Sequence, residues 1–437
     1  MQIILAVITQ LLGKASILVG IIALIGLLAQ RKPLENVVSG TLKTIIGFII
    51  LGGGANIVIG AITPLGSLLQ QGFGLQGALP VNEVFTALAQ KQLGQQIAIV
   101  FALAFVVNLL IARFTPWKFV FLTGHHILFM ATLTVGMLGL TVLSGSPVLL
   151  IIIAALFTGF SMAFFPWLSA PFMEKVIGSK DFVMGHFGTT TYVLSGFLGR
   201  FVGDPEKDST ENIKFPNWIG FMKEPLIAMG VVMFLIYLIA GIAGVARVGT
   251  AEAAKMFGNT DYWWLNCFIQ ALTFAGGIGV ILLGVRMILA EVVPAFRGFA
   301  EKIVPEARPA LDCPVVFPFA QNAVLVGYLC SIVGGILAMI LQIVLGGSAG
   351  AGLIGAVVLP SMIIHFFVGG TAGVFGNATG GWKGAALGGF LNGLIFTLLV
   401  GTAFVALSKL GFGSSAFGDT DFGVIGNVLA FLGSLFK

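Results

Sequence analysis

The chain has 437 residues, of which 58% are hydrophobic and 9% charged, with 61 glycines and a mean hydropathy of +1.07. That is more apolar surface than a soluble core of this length can hide, so a water-soluble enzyme is excluded and an all-α polytopic membrane protein is expected. The net charge of +5 comes from dispersed basic residues that never form a run, which places them in loops at one membrane face and gives no nucleic-acid surface.

The opening residues MQIILAVITQLLGK have no basic n-region and no A-x-A cleavage site, so they read as part of the mature chain. Apolar runs bounded by Gly, Pro or charge predict spans at 15–30, 40–62, 97–113, 119–142, 147–171, 226–248, 262–284, 321–345, 350–376 and 384–408. The run 423–436 adds an eleventh span or lies in the interface. Arg31, Lys32, Arg113 and Lys118 fall on one side of this arrangement. So do Arg297, Lys302, Arg308 and a polar segment, 173–223, with Lys175, Lys180, Arg200, Lys207, Lys214 and Lys223. Basic loops stay inside, so that side is cytoplasmic and 173–223 is a cytoplasmic loop. The uncharged loops SGSP (144–147) and GGSAGAG (346–352) fall on the opposite face. Lys255 on that outer face runs against the scheme, flanked by Glu252 and Asp261.

Two stretches break the pattern. At 72–94 and at 308–318, Pro and polar groups interrupt apolar runs too short to cross about 30 Å of hydrocarbon. Irregular backbone at membrane depth survives only where protein or water satisfies it, so both are expected to be re-entrant hairpins lining a cavity. The first contains ALPVNEVF (78–85) and the second ALDCPVVF (310–317); GTLKTII (40–46) likewise pairs with GVRMILA (284–290). The copies lie five spans apart, an odd offset, so they face opposite ways as an inverted repeat. One hairpin then enters from each face and brings Glu83 and Asp312 toward the midplane.

An ionised acid at the centre of a lone helix costs about 2.5–3.5 kcal/mol on insertion scales, so Asp312 is the first candidate for a ligand contact. An N-cap is the alternative, since Asp followed by apolar residues and Pro314 is also how a half-helix begins. Glu83, after Asn82, is a site acid or a surface-loop acid. His125 and His126 follow a Gly, and adjacent helical positions point about 100° apart, so at most one faces a cavity. His186 repeats the Gly-His pair and precedes three threonines. Each of these histidines is otherwise a buried neutral imidazole, and His365 reads as packing. No spacing among them points to a metal. Cys267, Cys313 and Cys330 sit in apolar surroundings and read as packing residues. The Gly-rich strings LGGGAN and GGTAGVFGNATGG lack a P-loop ending, so no nucleotide or other cofactor is expected.

The strings KTIIGFIIL, FLTGHH, GVRMILAEVVPAF, IVPEARPALDCPVVFPFAQNAV and GVFGNATGGWKGA extend, in order, over nearly the whole chain. Together they resemble the ascorbate-type membrane permease, enzyme IIC, of the bacterial phosphoenolpyruvate-dependent sugar phosphotransferase system. The resemblance implies one permease domain over 1–437 in the bacterial inner membrane, a homodimer with about eleven spans per protomer. It implies a transport part around 63–142 and 297–380, with the remaining spans as a scaffold that makes the dimer contact. An elevator-like movement of the transport part would carry an anionic, L-ascorbate-like sugar, phosphorylated on arrival by a cytoplasmic B component. Carried over by motif, the substrate residues are Gly54, Ala55, Asn82, Glu83, His125, His186 and Asp312, with Asp312 or a histidine as the base. Phe129 and Phe187 stand where the family carries glutamines, which puts the identity of the sugar in question.

Overall fold

A computed structural model describes residues 15–73, 77–213, 224–257, 262–346 and 354–435. The opening stretch 1–14, Lys214, Lys223, Asp261 and most of the 346–352 loop lie outside the described residues.

Lipid cannot satisfy backbone polar groups, so an apolar chain of this kind must bond its backbone internally, and it does so mainly as helix. Among the described residues, seven helices are long and apolar enough to cross a membrane: Leu34–Leu68, Asn82–Phe114, Pro147–Ile177, Met229–Val248, Trp263–Ile288, Gln321–Leu345 and Met362–Leu410. Leaving aside the short Thr250–Lys255 and Met362–Ile364, the described helices are α1 (Ala15–Ala29), α2 (Leu34–Phe73), α3 (Asn82–Phe114), α4 (Gly124–Gly139), α5 (Pro147–Ile177) and α6 (Thr189–Gly199). They continue with α7 (Pro225–Val248), α8 (Trp263–Ile303), α9 (Gln321–Gly346), α10 (Gly370–Leu407) and α11 (Thr420–Leu435).

Several expected boundaries change. The run 119–142 is a strand followed by α4, whose 16 residues reach only about 24 Å. Residues 82–94 are not the return limb of a short hairpin but the opening turns of α3, which runs unbroken for 33 residues because no proline or glycine pair interrupts it after Pro80. At the second interruption the chain forms a strand and then a 3-10 helix, Cys313–Phe319. Within 173–223, Val183 to Thr189 are buried and α6 packs on α10. The reason is composition: VMGHFGTTTYVLSGFLG carries no Asp, Glu, Lys or Arg, and the charges of that segment lie before and after it.

The expected span 384–408 and the part of 350–376 from Met362 onward fall in one helical stretch, Met362–Leu410, that reverses at Gly380–Gly381, while 357–358 form a strand and 350–353 lie outside the described residues. Gly381 has φ 58° and ψ −150°, a backbone that only glycine adopts without strain. A Cβ placed on Gly376 would lie 2.2 Å from the Gly384 carbonyl oxygen, and one on Gly388 would lie 3.2 Å from that of Ala372. Only antiparallel arms bring residues that far apart in sequence so close.

Among the described residues, six short strands form two parallel three-stranded sheets. In the first, β1 (Gly77–Pro80) lies between β5 (Val357–Val358) and β6 (Ser415–Ala416). In the second, β4 (Arg308–Leu311) lies between β2 (Phe119–Phe121) and β3 (Val183–Met184). Each central strand comes from one half of the chain and both its neighbours from the other.

The helices sort into two groups by packing. α1, α2, α7 and α8 pack chiefly on one another, while α3 to α6, α9, α10 and α11 surround the two sheets. Small residues let the second group close up: a Cβ on Gly334 would meet the Phe390 carbonyl oxygen at 2.0 Å, so α9 and α10 touch backbone to backbone.

Candidate functional site

Because the strands of the second sheet are parallel, β2, β4 and β3 deliver their next residues to one end of it. β2 leads through Thr123 to His125 at the start of α4, β4 leads directly to Asp312, and β3 leads to His186 before α6. Asp312 caps the 3-10 helix, its Oδ1 accepting from the Cys313 N–H at 2.7 Å. The cap and the site acid are therefore the same residue. His125 Nε2 lies 3.3 Å from Asp312 Oδ2 and His186 Nε2 lies 3.8 Å from Oδ1. The Asp312 side chain is 33% exposed and that of His125 18%, whereas His186 is buried, so the cluster is open on its Asp312 side.

The protons can be placed from the partners. His186 Nδ1 accepts from the Gly188 N–H at 3.1 Å and also meets Tyr192 Oη at 2.9 Å, which leaves the proton of the neutral ring on Nε2, facing Asp312. His126 Nδ1 accepts from the Phe187 N–H at 3.4 Å, and its ring packs 3.8 Å from that of His186, centroid to centroid. Of the adjacent pair, His125 faces the open side and His126 is buried behind it.

A second polar layer lies deeper, where β1 and β6 end. Asn82 donates to Asp419 Oδ2 at 2.8 Å and its Oδ1 accepts from the Gly418 N–H at 2.7 Å. Asp419 Oδ2 is 3.9 Å from His126 Nδ1, so this layer touches the first. Asp421 accepts from the Thr189 and Thr190 N–H groups at 2.8 and 3.1 Å and caps α6, while its own N–H donates to the Phe187 carbonyl at 2.8 Å. Glu83 is buried beside Asn82 with Oε2 unpartnered.

The structure thus brings together His125, His186 and Asp312, with Asn82 behind them through Asp419 and His126. It does not bring in Gly54, which sits at the α2–α8 crossing, where a Cβ would lie 2.7 Å from Ile281 and 3.0 Å from the Gly277 carbonyl oxygen. The side chain of Ala55 lies outside the described residues. Phe129 is buried with its ring 5.6 Å from both His125 and His126. Phe187 is buried and stacks on Phe121 at 5.1 Å. His365 is buried and bonded through Nδ1 to Ser331 Oγ at 2.8 Å, away from this cluster. Cys267 and Cys313 are buried and all three cysteines are free.

Sequence reasoning passed over Tyr192, Asp419 and Asp421. Two acids in FGDTDF, between apolar runs, are the signal that would have flagged the last two. Donor atoms of His126, His186 and Asp419 lie within 4.8 Å of one another. Backbone N–H groups bond both Nδ1 atoms and Asn82 bonds Oδ2 of Asp419, which ties this trio into a hydrogen-bonded network; donor atoms of His125, His126 and Asp312, and of His186, Asp312 and Cys313, lie equally close.

A family model described as the sugar-specific permease component of the PTS system, EIIC-GAT, matches residues 10–421. The chain belongs to the EIIC-GAT family. It is a multi-pass membrane protein of the bacterial cell membrane. The permease is also similar to the ascorbate-specific PTS system EIIC component of Mycoplasma pneumoniae, at 26% identity over 439 residues that cover 91% of this chain and 66% of that protein. It therefore spans about two thirds of the length of that curated relative. The ordered strings that carry the resemblance include the hairpin that supplies Asp312 and the turn that supplies His125.

Proposed function

We propose that this permease carries an anionic sugar acid of the L-ascorbate type across the membrane and presents it for phosphorylation by a separate cytoplasmic B component. Asp312 carries this reading: a carboxylate set between two imidazole Nε2 atoms at 3.3 and 3.8 Å, open on one side. The imidazoles offer donors to an enolate or carboxylate oxygen and the carboxylate accepts from a hydroxyl, which is the recognition a polyhydroxylated anion requires. On phosphorylation the sugar hydroxyl oxygen bonds to phosphorus as the S–P bond of a phosphocysteine on the B component breaks. The thiolate leaves with the electron pair, and the hydroxyl proton passes to Asp312 or His125. The ascorbate specificity of the Mycoplasma relative supports the choice of sugar. Phe129 and Phe187 bury rings where the family has amides, so recognition falls to His125, His186, Asp312 and backbone groups, with Asn82 and Glu83 acting from the buried layer at the start of α3 and Gly54 and Ala55 from the other side once the two helix groups approach.

The architecture belongs to the same proposal. With the reversed arm of α10 counted separately, and α1, α4 and α11 added to the seven long helices, the protomer has eleven membrane segments. The exchanged sheets, with matching strand order, support an inverted five-span repeat. We assign α1, α2, α7 and α8 to a scaffold that makes the homodimer contact. The other helices and both sheets form the moving transport part, wider than 63–142 and 297–380 because α5, α6 and α11 pack within it.

Uptake of radiolabelled L-ascorbate into vesicles with and without phosphorylated B component tests the reading. Asp312→Asn is expected to lower uptake at least 100-fold with unchanged membrane insertion, and wild-type uptake by that variant refutes the assignment. An ion-coupled carrier is the second reading, supported by Asp419, a fully buried acid beside His126. Uptake that needs no phosphoryl donor and collapses with a protonophore would establish it instead.

A further inference from the structure

We infer that Arg308 is a receptor for a phosphoryl anion at the opposite end of the β2–β4–β3 sheet from the sugar site. Arg308 begins β4, paired with Phe119, and its N–H donates to the Lys118 carbonyl at 2.8 Å. Its guanidinium is fixed on one side only. Nη1 lies 3.1 Å from Glu174 Oε1, and the guanidinium carbon lies 5.7 Å from the centre of the Phe119 ring. Nε and Nη2 are buried and have no partner. These two nitrogens lie on one edge of the planar group and point their hydrogens the same way, which is the fork that takes two oxygens of one oxyanion.

A buried donor pair without an acceptor is costly to keep, and proteins pair nearly all such groups. The unpaired pair here belongs to a guanidinium, whose planar edge matches two oxygens of a phosphate. The nearest charge is the Glu174 carboxylate; Lys118, whose ammonium donates to the Arg113 carbonyl at 3.0 Å, lies next to its strand partner Phe119, and Lys175 follows Glu174 on α5. In the described state the edge is shut away from solvent. The anion therefore binds a state in which α5 and β4 have parted slightly, and binding draws the permease toward that state.

Arg308 and Asp312 lie at the two ends of β4, about 13 Å apart at roughly 3.3 Å per residue. A sugar held at Asp312 and a phosphoryl group held at Arg308 therefore occupy two stations on one strand, with basic residues at the outer one. The identity of the anion as a phosphoryl group rests on the reading of the chain as a permease coupled to phosphorylation; the free guanidinium edge does not. Either the phosphocysteine of the B component or the phosphorylated sugar supplies that chemistry.

The test uses purified full-length permease, with inorganic phosphate and L-ascorbate titrated separately by calorimetry. Phosphate is expected to bind wild type and to bind Arg308→Lys at least tenfold more weakly, because lysine keeps the charge and the Glu174 contact but loses the fork. L-ascorbate affinity is expected to stay within twofold. Glu174→Gln, which removes the competing negative charge beside the guanidinium, is expected to strengthen phosphate binding and gives an independent reading where Arg308→Lys folds poorly. Equal phosphate affinity in wild type and Arg308→Lys, weaker binding in Glu174→Gln, or no phosphate binding at all overturns the proposal. Failure of L-ascorbate to bind wild type would strike the functional reading and leave the anion site standing on its phosphate titration. In the coupled reaction, a raised KM for phosphorylated B component in Arg308→Lys assigns the station to the donor. Relief of product inhibition assigns it to the phosphorylated sugar, and a coupled reaction unchanged in both overturns it.

Discussion

Asp421 offers a test of how the site is held that does not touch the sugar contacts. Its two oxygens accept from Thr189 and Thr190, and its own N–H donates to Phe187, so one residue on α11 fixes both the start of α6 and the loop that carries His186. Asp421→Ala leaves two buried N–H donors unpaired. Hydrogen bonds to a charged acceptor contribute about 1.5–3 kcal/mol each, so the loss is about 3–6 kcal/mol. Asp421→Asn keeps one acceptor oxygen and should lose about half of that. With an unfolding entropy of about 2.1 cal/mol/K per residue over 437 residues, each kcal/mol corresponds to about 1 °C. The Ala variant should therefore melt about 3–6 °C below wild type in detergent, with Asn between them. Sugar affinity should fall in the same order, because His186 loses its alignment on Asp312. A melting temperature within 1 °C of wild type for the Ala variant, together with unchanged affinity, would refute the clamp.

Other consequences can be checked in the same purified protein. Tyr192→Phe removes the hydroxyl beside His186 Nδ1 and leaves the Gly188 N–H in place, so sugar affinity should fall by no more than about tenfold, for a loss of about 1 kcal/mol. Asn82→Ala strips Asp419 of its donor and Gly418 of its acceptor, and should lower stability by about 2–4 kcal/mol in denaturant melts, whereas Asn82→Asp should fare worse by placing two carboxylates at 2.8 Å. Gly381→Ala puts a Cβ 2.3 Å from the Asp208 carbonyl oxygen at a positive φ, so folded yield by size-exclusion chromatography should collapse; normal yield would argue against the reversal. Phe187→Gln buries an amide among Phe121, Phe165 and Phe422 and should cost about 1–3 kcal/mol on heating rather than improve sugar binding.

Much of this fold was legible because apolar length is a strong signal. The spans around 40–62, 97–113, 147–171, 226–248, 262–284 and 321–345 each fall within a helix, since nothing but helix satisfies the backbone there. The meeting of Asp312 with His125 and His186 was legible for the complementary reason, since an acid in an apolar run needs a polar partner or an opening. Hydropathy could not see where a span is built from pieces. The run at 119–142 differs little from other apolar runs, yet α4 is short because a strand, Phe119–Phe121, replaces its first turns; the run 423–436, set apart by its length, falls in the equally short α11. The buried segment around His186 was hidden by its charged flanks. Asp419 and Asp421 were hidden because their partners, Asn82 and Thr189, are more than two hundred residues away. Such pairings depend on which strand ends converge, and local periodicity carries no trace of that.

The exchange of strands between halves also sets the order in which the chain can be made. β1 leaves the ribosome roughly 280 residues before β5, the first of the two neighbours that complete its sheet. At about 5–20 residues per second that wait lasts from about 14 s to nearly a minute. During it the nascent Gly77–Pro80 segment has neither edge partner, so biogenesis needs an insertase or chaperone that shields it until the second half is threaded. Two separately expressed halves should accordingly be degraded alone and rescued together.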